Sequence, residues 1–71
     1  MNTSIESPVP GKVLKVFVKN GEAVNEDTVV LLIESMKMEI DIYSPTAGTI
    51  REVRVKEGQV VEPNDVMVIV D

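Results

Sequence analysis

The chain contains no cysteine, no histidine and no tryptophan. Without cysteine there are no disulfides, and without cysteine and histidine the common zinc frameworks are excluded. The same absences remove the usual nucleophile and base pairs, so a stand-alone enzyme is not supported. Aromatics are scarce, with one tyrosine and one phenylalanine. That is too few for the stacking platforms of a single-strand nucleic-acid binder. Cations are in the minority, seven Lys and Arg against twelve Asp and Glu, for a net charge of −5. This balance opposes binding to nucleic acid or to an anionic membrane. Long hydrophobic runs are also missing. The longest, Val29-Val30-Leu31-Leu32-Ile33, is far too short to span a bilayer. The opening Met1-Asn2-Thr3-Ser4-Ile5-Glu6 has neither the basic segment nor the apolar stretch of a secretory signal, which predicts a cytoplasmic protein.

A length of 71 residues predicts one domain with a thin core. With no cross-link and no metal to support it, its stability has to come from aliphatic packing and from paired strand edges.

What the chain does have is an internal repeat. Ser7 aligns with Ser44, an offset of 37, and the offset then holds without a gap. Pro8 meets Pro45, Gly11 meets Gly48, Val16 meets Val53, and Val18-Lys19 meets Val55-Lys56. Gly21 meets Gly58, Val24 meets Val61, Val29 meets Val66, Ile33 meets Val70 and Glu34 meets Asp71. Both halves, 7–34 and 44–71, share one plan. A Ser-Pro pair and a glycine open it, and a β-branched run follows. A turn comes next, Asn20-Gly21 or Glu57-Gly58, then a second apolar run. Asn-Gly is a strong turn signal because both residues tolerate positive φ. Asn25-Glu26-Asp27 and Pro63-Asn64-Asp65 break the pattern and read as further turns.

Short valine- and isoleucine-rich runs between recurring Pro and Gly predict an all-β fold and leave no room for a stable helix. The equivalent pairs Val13 with Ile50, Val16 with Val53 and Val18 with Val55 are the expected core. Leu14 corresponds to Arg51 and Phe17 to Arg54, so those positions are expected to face outward. Phe17 then either covers an end of the fold or meets a partner. The spacing 13, 16, 18 is not strict alternation and predicts a bulge near residue 14 or 15. Two equivalent halves predict a pseudo-twofold axis and a flattened sandwich or barrel. Residue 37 has its repeat counterpart just beyond the chain ends. The turn at Lys37 is therefore expected at one end of the domain, with both termini at the other. Residues 1–5 are expected to form a flexible segment ahead of a single domain over 6–71.

Residues 34–43 join the halves and have the layout of a hairpin. Ile33 ends an apolar run, Glu34-Ser35-Met36-Lys37-Met38-Glu39 forms the tip, and Ile40-Asp41-Ile42-Tyr43 returns. A lysine at such a tip is exposed on a backbone held by paired strands, as a modifying enzyme requires. Met36 and Met38 flank it, either as adaptable core fillers or as recognition residues. Glu34, Glu39 and Asp41 do not make a closed ligand set, so no metal is expected.

Glu34-Ser35-Met36-Lys37-Met38 resembles the Glu-Ala/Ser-Met-Lys-Met attachment motif of the biotinyl domains of biotin-dependent carboxylases and decarboxylases. The following Ile40, Ile42 and Pro45-Thr46-Ala47-Gly48 also match that family, and the resemblance covers roughly residues 5 to 71. It implies a flattened β-barrel of two four-stranded antiparallel sheets. It also implies biotin joined covalently to Lys37 as an amide, with Met36 and Met38 recognised alongside. The resemblance implies a biotin protein ligase that activates biotin as its adenylate. Biotin carboxylase and carboxyltransferase partners would then share the carrier. The domain itself would be non-catalytic, a biotin carboxyl carrier that shuttles a carboxyl group, with the cofactor supplying the reactive chemistry. The related lipoyl domains typically have Asp-Lys-Ala at this place, so Met36 and Met38 point to the biotin branch. The gapless repeat leaves no room for the protruding thumb of some carriers. A lipoyl carrier and an unmodified binding module are the competing readings.

Overall fold

The computed structural model describes residues 2–71. The chain forms eight strands: β1 Thr3–Glu6, β2 Gly11–Val16, β3 Ala23–Val24, β4 Val29–Ser35, β5 Met38–Tyr43, β6 Gly48–Val53, β7 Val60–Val61 and β8 Val66–Val70. They build two four-stranded sheets, in the orders β1-β8-β6-β3 and β5-β4-β2-β7. Every pairing is antiparallel. The all-β sandwich expected from the sequence is the one observed.

The repeat survives in three dimensions at the level of single bonds. Shifted by 37, β2 falls on β6 and β3 falls on β7, residue for residue. The amide of Val13 donates to the Gln59 carbonyl at 2.8 Å, and the amide of Ile50 donates to the Glu22 carbonyl at 2.8 Å. Gly58 donates to the Val13 carbonyl at 2.8 Å, and Gly21 donates to the Ile50 carbonyl at 2.7 Å. Side chains repeat the relation: Val53 N–H donates to Asn20 Oδ1 at 3.0 Å, and Val16 N–H donates to Glu57 Oε2 at 3.3 Å. Each bond joins one half to the other. The long strand of one half is therefore completed by the turn and short strand of its counterpart.

The core lies between the sheets. Val13, Val30, Leu31, Ile33, Val61, Met67, Val68 and Val70 are fully buried, and Ile50 nearly so. Removing such aliphatic side chains from water stabilises by about 1.5–3 kcal/mol each. The register shifts between Val13 and Lys15, placing the expected bulge at Leu14. A second shift, between Val29 and Leu31, turns two successive residues, Val30 and Leu31, into the core. That is why the facing of this run could not be read from alternation.

Two expectations need correction. Residues 1–5 do not stand apart as a flexible segment from Thr3 onward, because Thr3, Ser4 and Ile5 pair with Val70, Ile69 and Val68 of β8. Met1 lies outside the described residues. The physical reason is the repeat itself: β5 shifted back by 37 covers β1, and Ile42 falls on Ile5, both buried. Val16 and Val53 are also not full core residues; each is partly buried and packs against the core. They sit at the ends of β2 and β6, beyond the bulges.

The strand directions fix the two ends of the molecule, which measures 32 × 19 × 17 Å. Thr3 pairs with Val70, so the two chain ends lie together. Glu6, at the other end of β1, leads through residues 7–10 to Gly11. That loop is tied to the β4–β5 tip by a hydrogen bond from Ser35 Oγ to the Pro10 carbonyl at 2.7 Å. The Lys37 tip and the termini therefore occupy opposite ends.

Candidate functional site

Strands β4 and β5 pair from Val29 with Tyr43 up to Ser35 with Met38. Only Met36 and Lys37 remain for the turn. A two-residue hairpin matches the twist of its strands when both central residues have positive φ, as in a type I′ turn. Met36 has φ 54° and Lys37 has φ 67°. Neither is a glycine or asparagine, so the conformation costs about 1–2 kcal/mol per residue. Strain of this kind persists only where its surroundings over-determine it.

Those surroundings are visible. Ser35, directly before the turn, is buried with 8 % of its surface exposed. Its hydroxyl donates to the Pro10 carbonyl. Behind it, Gly11 lets β2 pass under the tip: a Cβ on Gly11 would lie 2.6 Å from the Glu34 carbonyl oxygen. The hydroxyl bond and the missing side chain together hold the end of β4 down. The serine bond was not foreseen in the sequence. The glycine contact could have been suspected, since Gly11 and Gly48 coincide in the repeat.

The tip itself projects into solvent. Met36 is 91 % exposed and Met38 is 66 % exposed. The core-filler reading of the two methionines does not hold. Lys37 is exposed between them. Among the described residues no carboxylate lies within ion-pair distance of it; the ion pair present joins Arg51 and Asp71 at 3.8 Å. Glu34 and Glu39 face each other across the hairpin, and both are exposed. Among the described residues no three ligand-type side chains cluster for a metal.

Two open depressions mark the surface. One is lined by Arg54, Val55, Gln59, Asn64, Asp65 and Val66. The other lies between β1 and β5 and includes Ile5, Pro8, Ile40, Tyr43 and Pro45. Lys37 lines neither. The site is thus a projecting amine on a strained turn, outside both of these depressions. Such an arrangement suits covalent attachment of an acyl group at Nζ, where the attached group stays free of the domain surface. It fits a carried group.

Residues 3–70 match the family model described as biotin-requiring enzyme. The 2-oxoglutarate carboxylase large subunit of Hydrogenobacter thermophilus is 46 % identical over 37 residues, which are 52 % of this chain and 6 % of that protein. The glutaconyl-CoA decarboxylase subunit gamma of Acidaminococcus fermentans is 45 % identical over 41 residues, 58 % of this chain and 28 % of that one. The matches thus span under a third of the length of these curated relatives. Among solved structures, the urea carboxylase of Kluyveromyces lactis superposes with a TM-score of 0.93 over 100 % of this chain and 6 % of its own, at 24 % identity. The lipoyl domain of the 2-oxoglutarate dehydrogenase complex from Azotobacter vinelandii superposes with a TM-score of 0.76 over 89 % of this chain and 80 % of its own, at 27 % identity.

Proposed function

This chain belongs to the biotin-requiring enzyme family of biotinyl and lipoyl attachment domains, and from that premise we propose that it is a biotin carboxyl carrier with biotin joined to Lys37. The observation that carries the reading is the exposed lysine at a strained two-residue turn between two exposed methionines. A tip of this shape offers a ligase a fixed backbone and a freely reaching side chain. The uncharged Lys37 Nζ would attack the acyl carbon of biotinyl-adenylate in the ligase site. An amide forms, AMP leaves, and the amine proton goes to a base of the ligase. Met36 and Met38 are the recognition residues on either side.

Biotin, once attached, supplies the ring nitrogen that takes up and gives back a carboxyl group. The domain's own residues supply attachment, reach and orientation, and catalyse nothing. The partners are a biotin protein ligase, a biotin carboxylase and a carboxyltransferase, in a carboxylase or decarboxylase of the kind named among the relatives. Tethering raises the local concentration of biotin at each active site. Ligation and carboxylation both consume ATP, which supports a cytoplasmic location. The lipoyl reading is supported by the fold shared with a lipoyl domain. Met36 before the lysine, rather than aspartate, favours biotin.

The test is intact mass after incubation with a biotin protein ligase, ATP and biotin. One added biotin, absent in Lys37→Ala, is expected. An unchanged mass with an active ligase, or modification by a lipoate ligase alone, would overturn the proposal.

A further inference from the structure

Sulfur is confined to methionine in this chain, which has four methionines and no cysteine. Three of the four lie among the described residues, and they fall into two classes. Met67 is fully buried, and so is its repeat counterpart Val30. The thioether at 67 therefore stands where the fold needs only an aliphatic filler. Met36 and Met38 are 91 % and 66 % exposed. Neither belongs to the core or to the half-buried residues packed against it. These two are the immediate neighbours of Lys37 in the chain. The accessible thioethers among the described residues are thus the pair that flanks the candidate attachment residue.

An oxidant can act on a thioether only where it reaches the sulfur. A peroxide arriving from solvent meets Met36 first and Met38 next, and reaches Met67 only when the domain opens. No thiol of this chain competes for it. The reaction transfers one oxygen atom: the peroxide O–O bond breaks, an S=O bond forms, and water leaves. Sulfur is oxidised and the peroxide is reduced. A flexible apolar side chain becomes a polar, chiral one. At Met36 and Met38 the fold loses nothing, because neither side chain has a place in the core. A partner that takes these side chains into an apolar pocket has to bury the new dipole, which is costly unless it is hydrogen-bonded.

We propose that Met36 and Met38 are a peroxide-sensitive modification site that controls attachment at Lys37. Sulfoxide at these positions blocks biotinylation, and its reduction restores it. The return step draws two thiols from a methionine sulfoxide reductase, which become a disulfide as the oxygen leaves in water. The inference rests on the carrier reading, with the two methionines as recognition residues.

The experiment uses the whole chain before biotin is attached, because biotin carries a thioether of its own. The untreated chain is first incubated with a biotin protein ligase, ATP and biotin. A second portion is treated with hydrogen peroxide, freed of the oxidant, mapped by fragmentation mass spectrometry, and then given the same mixture. Oxygen is expected on Met36 fastest and on Met38 next, with Met67 unmodified. The rate of biotinylation is expected to fall at least about tenfold at an unchanged melting temperature. The two methionine sulfoxide reductases, one for each sulfoxide epimer, supplied with a thiol, should restore it. In the double variant Met36→Leu, Met38→Leu, which keeps apolar side chains without sulfur, treated and untreated chains should be biotinylated at the same rate as each other. Recovery with the reductases reads the same effect in the parent chain, whatever the basal rate of the variant. An oxidised chain that is biotinylated as fast as the untreated one overturns the proposal. So does oxygen on Met67 ahead of the tip, or a rate lost together with the fold. An untreated chain that takes no biotin overturns the carrier reading itself, a result recorded before any oxidant is added.

Discussion

Gly11 and Gly48 meet the same obstacle in the two halves of the molecule. A Cβ on Gly11 would press on the Glu34 carbonyl oxygen, and a Cβ on Gly48 would press on the Asp71 carbonyl oxygen. Glu34 and Asp71 are themselves repeat partners. The close approach of backbone to backbone is therefore part of the plan of each half. Gly11→Ala and Gly48→Ala are each expected to destabilise the domain by about 1–3 kcal/mol, or roughly 4–8 °C in Tm per kcal/mol. Thermal unfolding checks this. Of the two, Gly11→Ala should also slow biotinylation, because it displaces the strand that ends at the Lys37 turn.

The turn at Met36 and Lys37 trades stability for a presented amine. Met36→Asn keeps the lysine and places a residue that tolerates positive φ. It is expected to stabilise the domain by about 0.5–1 kcal/mol while lowering the rate of biotinylation. Replacing Lys37 by Gly as well should stabilise further and abolish attachment. Melting curves and a ligase time course read the two effects separately. A Met36→Asn chain that is no more stable would show that the turn is unstrained.

Ser35 is the buried polar side chain nearest the site. Ser35→Ala removes its bond to the Pro10 carbonyl and is expected to cost about 1 kcal/mol. Hydrogen exchange at the Met38 amide, which faces Ser35 across the hairpin, should speed up relative to amides in β8.

The core carries most of the stability. Ile33→Ala and Ile50→Ala each leave a cavity and are expected to cost about 2–5 kcal/mol. For a chain of this size total stability is about 4–10 kcal/mol, so either variant should be partly unfolded at physiological temperature. Val16→Ala, at a half-buried position, is expected to cost less than either. Circular dichroism with urea titration checks the order.

The Arg51–Asp71 pair is expected to contribute little. The side chains are 57 % and 52 % exposed at 3.8 Å separation, so solvent and salt screen them. Arg51→Gln should change stability by no more than about 0.5 kcal/mol, read from urea midpoints at low and high salt.

The sequence revealed the strand pattern, the bulge at Leu14 and the hairpin around Lys37, because each depends on local chemistry repeated at a fixed offset. Gly, Pro and Asn mark the turns, and valine and isoleucine fill the strands. The first strand was missed for the opposite reason. Thr3-Ser4-Ile5-Glu6 holds a single aliphatic side chain, and its partner β8 lies at the far end of the chain. The facing of Val29 to Ile33 was hidden by a bulge inside an all-apolar run. The tip was legible as a position but not in its geometry. Positive φ at Met36 and Lys37 follows from the register of Ser35 with Met38, which only strand pairing sets. The bond from Ser35 to Pro10 depends on a loop brought in from 25 residues away.

The bonds from Val13 to Gln59 and from Ile50 to Glu22 bear on ancestry. A chain of half this length could close the same sandwich only as a twofold dimer, with each copy finishing the other's sheet. Its folding would depend on concentration, as for any obligate dimer. Joining the copies end to end removes that dependence. It also makes the two ends of the dimer unequal. One junction becomes the turn that presents Lys37, and the other falls at the opposite end, beside Thr3 and Val70. From a symmetric object, fusion produces a molecule with a front and a back.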